Sequence, residues 1–236
     1  MKIDPATIER LKEQVAVYTE LLKNWLDPSN LARLRPRLEF QTGILAGFAL
    51  LASVLLGVTN CSTEDTIQQR LDEDLKKSLE EVVPAALHDN DMLQDTLTIP
   101  SGNFNIGANE TNVYLAKESG KVTAVCFKFI APDGYSGAIN MIMSVDREGN
   151  ILGVRVLNHK ETPGLGDKIE VAKSDWILNF VGRSLDNLLP AQWAVKKDGG
   201  IFDQFAGATI TPRKSVQAIN RGLQLFKAHQ TELINP

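Results

Sequence analysis

The sequence predicts an α+β protein in which a single N-terminal transmembrane helix precedes a mostly antiparallel-sheet domain. Residues 40–63 carry no charged side chain and are mainly apolar. Between Leu97 and Leu157, short runs of alternating, β-branched residues are separated by turn residues, which is typical of strands in a meander. Near the C-terminus, apolar residues recur at helical spacing. Together these features predict an anchor, a sheet and a covering helix.

Composition excludes several functional classes. The 236 residues include 25 Lys and Arg against 29 Asp and Glu, a net charge of −4, whereas a nucleic-acid-binding surface needs an excess of basic residues. Two cysteines cannot hold an iron–sulfur cluster or a four-cysteine zinc ion. Three scattered histidines show no metal-ligand spacing. We therefore expect no metal site and no nucleic-acid partner.

Residues 1–39 are predicted to be a cytoplasmic extension that contains one helix. Asp4 and Pro5 suit a helix start, and Asp27-Pro28 suits its end. Between them, apolar residues recur at alternating steps of four and three: Leu11, Val15, Tyr18, Leu22 and Trp25. Two interpretations remain open, a helix that lies on the membrane surface or on its own anchor, and a helix that docks onto a partner subunit.

Residues 40–63 are predicted to be the transmembrane helix. Their apolar centre, 43–59, approaches the length that crosses a hydrocarbon core of about 30 Å. A buried core helix is disfavoured because no side is polar enough to face water. Arg33, Arg35 and Arg37 precede the segment and mainly acidic residues follow it, so the positive-inside rule predicts a cytoplasmic N-terminus. The rest of the chain would lie in the periplasm of a bacterium.

The remaining chain divides into a helical linker, residues 64–94, and a domain, residues 95–236. Apolar residues at every fourth position predict a linker helix over 66–83, which Pro84 closes. Strands are predicted over 112–117, 122–130, 139–145 and 151–157, with a short helix near 174–180 and a further strand near 193–197. Thr211 and Pro212 predict the start of the last helix, whose apolar face is Val216, Ile219, Leu223 and Phe226.

Three polar, glycine-rich stretches could carry chemistry, at 131–137, 159–168 and 196–212. Thr209 lies two residues before the predicted cap of the last helix, where free N–H groups and the helix dipole favour a phosphate. An ordinary capping turn explains the same residues. Lys196 and Lys197 could neutralise an anion or be a solvated pair. Glu161 and His159 could be an acid–base pair or polar loop residues. Cys126 alternates with apolar residues and is predicted to pack in the core.

The motifs in order resemble one family. They are A-P-D-G-Y-S-G-A-I at 131–139, H-K-E-T-P-G-L-G-D-K-I at 159–169, S-D-W at 174–176 and W-A-V-K-K-D-G-G-I-F-D-Q-F-A-G-A-T-I-T-P at 193–212. Over roughly residues 40–230 the chain resembles the G subunit of the Rnf electron-transport complex. It is more distantly similar to the C subunit of the sodium-pumping NADH:quinone reductase.

The resemblance implies a covalent cofactor. In this family FMN is attached through its phosphate to the threonine of an S/T-G-A-T motif, which corresponds to Thr209. A flavin transferase forms the bond and recognises an upstream aspartate, here Asp203. The sequence departs from the family at Ala206, where Ser or Thr is usual. It also departs in its long N-terminus, and the resemblance supplies no function for residues 1–35.

The resemblance further implies where the flavin is bound. Glu161, Thr162 and Leu165 are expected around the ring or the ribityl chain. Gly207, Ala208, Lys196 and Lys197 are expected near the phosphate, with Tyr135 and Ser136 as further contacts. Neither a metal ion nor a proton-transfer residue is expected.

The function implied is that of a membrane-anchored flavoprotein subunit of the bacterial inner membrane. It would relay electrons between ferredoxin and NAD while the complex moves Na⁺ or H⁺, with the other Rnf subunits as partners and no independent catalytic activity. One alternative is a membrane-anchored periplasmic binding or scaffold module without a redox role. A ligand sensor is disfavoured because residues 1–40 are too short for an output domain.

Overall fold

The computed structural model describes residues 5–25, 27–28, 38–107 and 109–235. The chain divides into two compact units, Met1–Gln68 and Gln69–Pro236. The predicted α+β fold with one N-terminal apolar helix is confirmed. Helix α1 spans Pro5–Trp25 and ends before Asp27-Pro28, as the sequence predicts. The predicted cap Asp4 and the arginines at 33, 35 and 37 lie outside the described residues.

Helix α2 runs from Leu38 to Val82 and contains the predicted transmembrane segment. Among the described helices it alone is long and apolar enough to cross a membrane, over Phe40–Asn60, with a mean hydropathy of 2.0 and no part of that window buried. The linker helix expected to begin at Thr66 is continuous with the anchor. No proline or glycine lies between residues 58 and 82 to interrupt the backbone hydrogen bonds.

The second unit contains a five-stranded antiparallel meander in the order β1-β2-β3-β4-β5. The strands are β1 (Thr96–Pro100), β2 (Glu110–Glu118), β3 (Lys121–Ala131), β4 (Ile139–Asp146) and β5 (Ile151–Asn158). The sequence predicted all but β1, a short edge strand that ends in proline. Asp146 shapes the last hairpin, because its carboxylate accepts hydrogen bonds from the backbone N–H groups of Glu148 and Asn150.

Helix α3, Ile210–Ile234, covers one face of this sheet. The four residues of its predicted apolar face are buried against strand residues that include Phe127 and Met143. Gly222 allows the close approach, since a Cβ there would lie 2.8 Å from the Met143 methyl carbon. This packing places the N-terminus of α3 beside the loops that follow β3 and β5.

The end of α2 covers the opposite face. Leu79, Val82 and Val83 pack with Met92 against the sheet. The Ser144 hydroxyl donates a hydrogen bond to the Val82 carbonyl, which joins helix and sheet directly. Cys126 is buried in this layer, as predicted, and burial raises the pKa of its thiol, so it is held as an unreactive core side chain.

Two local predictions are wrong. No strand forms near 193–197; instead short 3-10 turns, Pro190–Gln192 and Lys196–Asp198, flank a single bridge between Val195 and Phe202. Gly199, with φ of +89°, reverses the chain there. The last helix begins two residues earlier than expected, so Thr209 is its N-cap, and Thr211 lies in its first turn. The short helix near 174–180 is present as a 3-10 helix, Asp175–Phe180.

Candidate functional site

A cavity of about 200 Å³ lies at the N-terminus of α3, where the three glycine-rich stretches meet. Seven of the residues that the sequence nominated line it: Tyr135, Glu161, Thr162, Leu165, Gly207, Ala208 and Thr209. Residues 135, 161 and 209 come from three segments that are distant in sequence. The antiparallel sheet and its covering helix bring these segments together.

Three further lining residues were not nominated: Gly166, Ile210 and Thr211. All three stand inside the quoted motifs, so the motifs contain the signal. The expected N-cap role had directed Thr211 toward the helix backbone. In the structure its hydroxyl points instead to the carboxylate of Glu161.

Thr209 occupies the N-cap position of α3, with φ −80° and ψ −20°, and is half-buried. Its side chain makes no capping hydrogen bond, and its hydroxyl has no partner among the described residues. Gly207, at φ +79°, forms the preceding turn, in which the Ala208 N–H donates to the Phe205 carbonyl at 3.2 Å. A free hydroxyl is therefore presented at the positive end of a helix dipole.

Glu161 joins the three stretches. Its side chain is buried, and Oε1 accepts a hydrogen bond from the Ser136 N–H at 3.0 Å. Oε2 accepts one from the Thr211 hydroxyl at 2.5 Å. Gly134 and Gly166 leave room for this side chain. A Cβ at position 134 would lie 2.9 Å from Glu161 Oε1, and a Cβ at position 166 would lie 2.8 Å from Oε2. Ser136 thus reaches the site through Glu161 and does not line the cavity.

His159 contacts the backbone of Glu161 and does not line this cavity. Its Nδ1 accepts a hydrogen bond from the Glu161 backbone N–H at 2.9 Å. Because that nitrogen accepts, the ring proton belongs on Nε2, which lies 2.6 Å from Glu170 Oε1. The imidazole does not contact the Glu161 carboxylate, so this geometry favours polar loop residues over an acid–base pair.

Lys196, Lys197 and Asp203 also lie outside the lining of the cavity. The Lys196 ammonium and the Asp203 carboxylate form an exposed ion pair at 2.6 Å. The backbone N–H of Lys197 donates to the Gln204 side chain at 3.3 Å. The two lysines therefore belong to the protein surface near Thr209, and their charges are not part of the cavity lining.

Two ion pairs hold the first turn of α3 to neighbouring loops. Arg213 binds Asp198 through two nitrogens, at 2.5 Å and 2.9 Å, and this contact lowers the pKa of the Asp198 carboxyl. Lys214 binds Asp133 in the first glycine-rich stretch and lowers the pKa of the Asp133 carboxyl. Both pairs fix where the helix N-terminus stands relative to the loops that build the cavity.

An aromatic cluster supports the segment that leads to Thr209. Phe205 packs edge-on against Trp176, with ring centroids 5.2 Å apart. The Trp176 indole N–H donates to the Asp203 carbonyl at 2.8 Å, so both ends of the turn are anchored. Asp203 keeps its side chain exposed while its backbone is held.

These features fit the phosphate end of FMN. The hydroxyl, the helix N-terminus and the small residues beside them suit an anion that approaches the backbone closely. The cavity is smaller than the roughly 300–1,000 Å³ usual for ligand pockets, so it would enclose only part of the cofactor. Within the described residues no group of three or more potential metal ligands occurs.

Comparison with known proteins also indicates an FMN-binding domain. Residues 134–224 match the model of the FMN-binding domain, and this range contains every residue that lines the cavity. Residues 41–82 match the model of the RnfG N-terminal region, which coincides with most of α2.

Three relatives that match most of the chain are each described as the G subunit of an ion-translocating oxidoreductase complex. A Cereibacter sphaeroides relative is 50% identical over 196 residues, covering 83% of this chain and 87% of the relative. A Shewanella loihica relative is 44% identical over 193 residues, 81% of this chain and 91% of the relative. An Aliivibrio fischeri relative is 41% identical over 191 residues, again covering 81% of this chain and 91% of the relative.

Proposed function

Since the chain belongs to the family of G subunits of ion-translocating oxidoreductase complexes, we propose that it relays electrons between ferredoxin and NAD within such a complex. The complex would couple this transfer to the movement of Na⁺ or H⁺. The chain carries an FMN-binding domain, so its part in the relay is that of a flavoprotein subunit. Its electron partners would be the other membrane and redox subunits.

The FMN would be covalent, joined by a phosphoester to the hydroxyl of Thr209. The observation that carries this proposal is the N-cap hydroxyl of Thr209, which lines the cavity and has no hydrogen-bond partner among the described residues. An ester there places the phosphate at the N-terminus of α3, where the dipole and free N–H groups stabilise it. A flavin transferase would recognise Asp203, whose carboxylate is exposed.

The chain's residues would hold the cofactor while FMN supplies the electron chemistry. Gly207 and Ala208 allow close approach of the phosphate to the backbone. Glu161, Thr162 and Leu165 would face the ring or the ribityl chain, and Tyr135 the exposed rim. Lys196 and Lys197 would add positive charge outside the lining, and Ser136 would act by orienting Glu161.

The proposed location is the bacterial inner membrane, crossed once by residues 40–63. The N-terminal extension would be cytoplasmic and the flavin domain periplasmic. The charge pattern supports this orientation, because arginines precede the apolar segment and mainly acidic residues follow it.

Intact-mass measurement after co-expression with a flavin transferase tests the proposal. We expect the wild type to gain the mass of one FMN and to fluoresce in a gel. Thr209→Val, which keeps the side-chain shape, is expected to lose both signals and still fold; Thr209→Ser, which keeps the hydroxyl, is expected to retain some modification. An exported wild type that stays unmodified beside an active transferase would favour the scaffold alternative.

A further inference from the structure

Glu161 is the single charged side chain among the ten described residues that line the cavity. It is only 4% exposed, so water screens its charge weakly. Among the described residues Glu161 forms no ion pair, and three cations of the surrounding segments are paired with other carboxylates: Lys196 with Asp203, Arg213 with Asp198 and Lys214 with Asp133. The charge of Glu161 therefore acts on the cavity without a paired cation.

Its hydrogen bonds are those of an ionised carboxylate. One oxygen accepts from the Ser136 N–H and the other from the Thr211 hydroxyl. Thr211 lies in the first turn of α3, where the helix dipole stabilises an anion. The fold thus holds a negative charge at a fixed position in the cavity wall.

We propose that the Glu161 carboxylate lowers the midpoint reduction potential of the FMN held in this cavity, an inference that rests on the proposed function. Reduction adds an electron to the cofactor, and the fixed negative charge of Glu161, which the proposed function places beside the ring or the ribityl chain, disfavours that addition. The residue therefore acts electrostatically, by making the reduced flavin a stronger donor to the next redox centre.

Spectroelectrochemical titration of the flavin-loaded full chain in detergent tests this role, with dithionite as the source of electrons. Glu161→Gln removes the charge with little change of shape. It is expected to raise the midpoint potential by about 59 mV, a tenfold change in a one-electron equilibrium. Glu161→Asp keeps the charge and is expected to stay close to the wild type. Glu148→Gln, which removes an exposed carboxylate in the turn between β4 and β5, is the matched control and is expected to change little.

An unchanged or lower potential in Glu161→Gln would overturn the inference, as would equal upward shifts in the Gln and Asp variants, which would indicate a purely structural role. If Glu161→Gln fails to fold, Thr162→Lys introduces a cation at the same wall with Glu161 intact. Its potential must then rise above that of Thr162→Gln, or the inference is wrong. A wild type that carries no flavin by mass would instead overturn the proposed function itself.

Discussion

At the scale of single residues, the cavity depends on close contacts around one carboxylate. Glu161 connects the Ser136 N–H to the Thr211 hydroxyl, and His159 holds its backbone. Such a buried polar network specifies one arrangement only while every member is satisfied. Gly134 and Gly166 beside it are required because a Cβ would crowd the carboxylate, and neither of them has a positive φ.

Gly166 supplies a prediction at this scale. A Cβ there would lie 2.8 Å from Glu161 Oε2 and 2.9 Å from the Thr211 hydroxyl oxygen. Gly166→Ala is expected to separate these two groups and to lower the free energy of unfolding by about 1–3 kcal/mol. Chemical denaturation measures the loss. The flavin content of the surviving folded protein reports the cavity, and an unchanged stability with full flavin loading would contradict the prediction.

Trp176 supplies a second prediction at the scale of single residues. Trp176→Phe keeps a ring against Phe205 but removes the N–H that donates to the Asp203 carbonyl. The expected loss of stability is about 0.5–1.5 kcal/mol, together with slower modification of Thr209 because the turn is less firmly held. A time course of flavin incorporation measures this. Flavin incorporation as fast as in the wild type would show that the hydrogen bond from Trp176 to the Asp203 carbonyl does not affect modification.

At the scale of elements, helix α3 does two tasks. Its apolar side covers the sheet, while its first turn is bound to surrounding loops by the pairs of Lys214 with Asp133 and Arg213 with Asp198. The orientation of the helix N-terminus, and with it the position of Thr209, follows from both. The end of α2 plays the corresponding structural part on the other face of the sheet.

The pair of Lys214 and Asp133 predicts a pH dependence. The hydrogen bond from Lys214 lowers the pKa of Asp133 in the folded state. A carboxyl group with a lowered folded pKa stabilises the fold above its unfolded pKa and loses this contribution as the pH falls through the folded pKa. Above about pH 4 the wild type should therefore be more stable than Asp133→Asn, and below that pH it should lose this advantage. Thermal unfolding across this range should show the two proteins converging; a constant difference would contradict it.

Gly153 tests how α2 meets the sheet. A Cβ at this position would lie 2.8 Å from the Val82 carbonyl oxygen and 2.9 Å from its Cα. Gly153→Ala is expected to destabilise the domain by about 1–3 kcal/mol, because backbone cannot move aside as a side chain can. Ser144→Ala removes only the hydrogen bond to the same carbonyl and should cost about 0.5–1.5 kcal/mol. Denaturation of both variants gives the ranking, and the reverse order would count against this packing.

At the scale of the whole molecule, the two units differ in how much apolar surface they bury. The unit that begins at Gln69 has its own core on both faces of the sheet. The apolar window of α2 buries none of its surface within the described chain. Side chains such as Phe48 and Leu56 are 69% and 71% exposed, which is compatible with a helix that spans a membrane.

Orientation is testable with cysteine labelling in a Cys61→Ser background, since Cys126 is buried. A membrane-impermeant maleimide applied to intact cells is expected to label Lys121→Cys and to label Lys23→Cys only after lysis. Both positions are exposed in the structure. The opposite labelling pattern would reverse the proposed topology, and release of the protein by alkaline washing would exclude the membrane anchor.

The sequence by itself determined the anchor, four of the five strands, the apolar face of the last helix and the residues of the flavin motifs. These follow from local periodicity, turn chemistry and motif spacing, which need no knowledge of distant contacts. Even the resemblance to the family of G subunits depended on short blocks in order. The relatives confirm that resemblance.

Only the tertiary structure decided which of those residues contact one another and which line the cavity. It made Thr209 the helix cap and left its hydroxyl free, turned Thr211 toward Glu161, and replaced the expected strand near 193–197 with turns. It also excluded Lys196 and Lys197 from the cavity lining. The physical reason is that a buried carboxylate takes its partners from whichever donors the packed segments bring within reach, and sequence spacing does not encode that meeting.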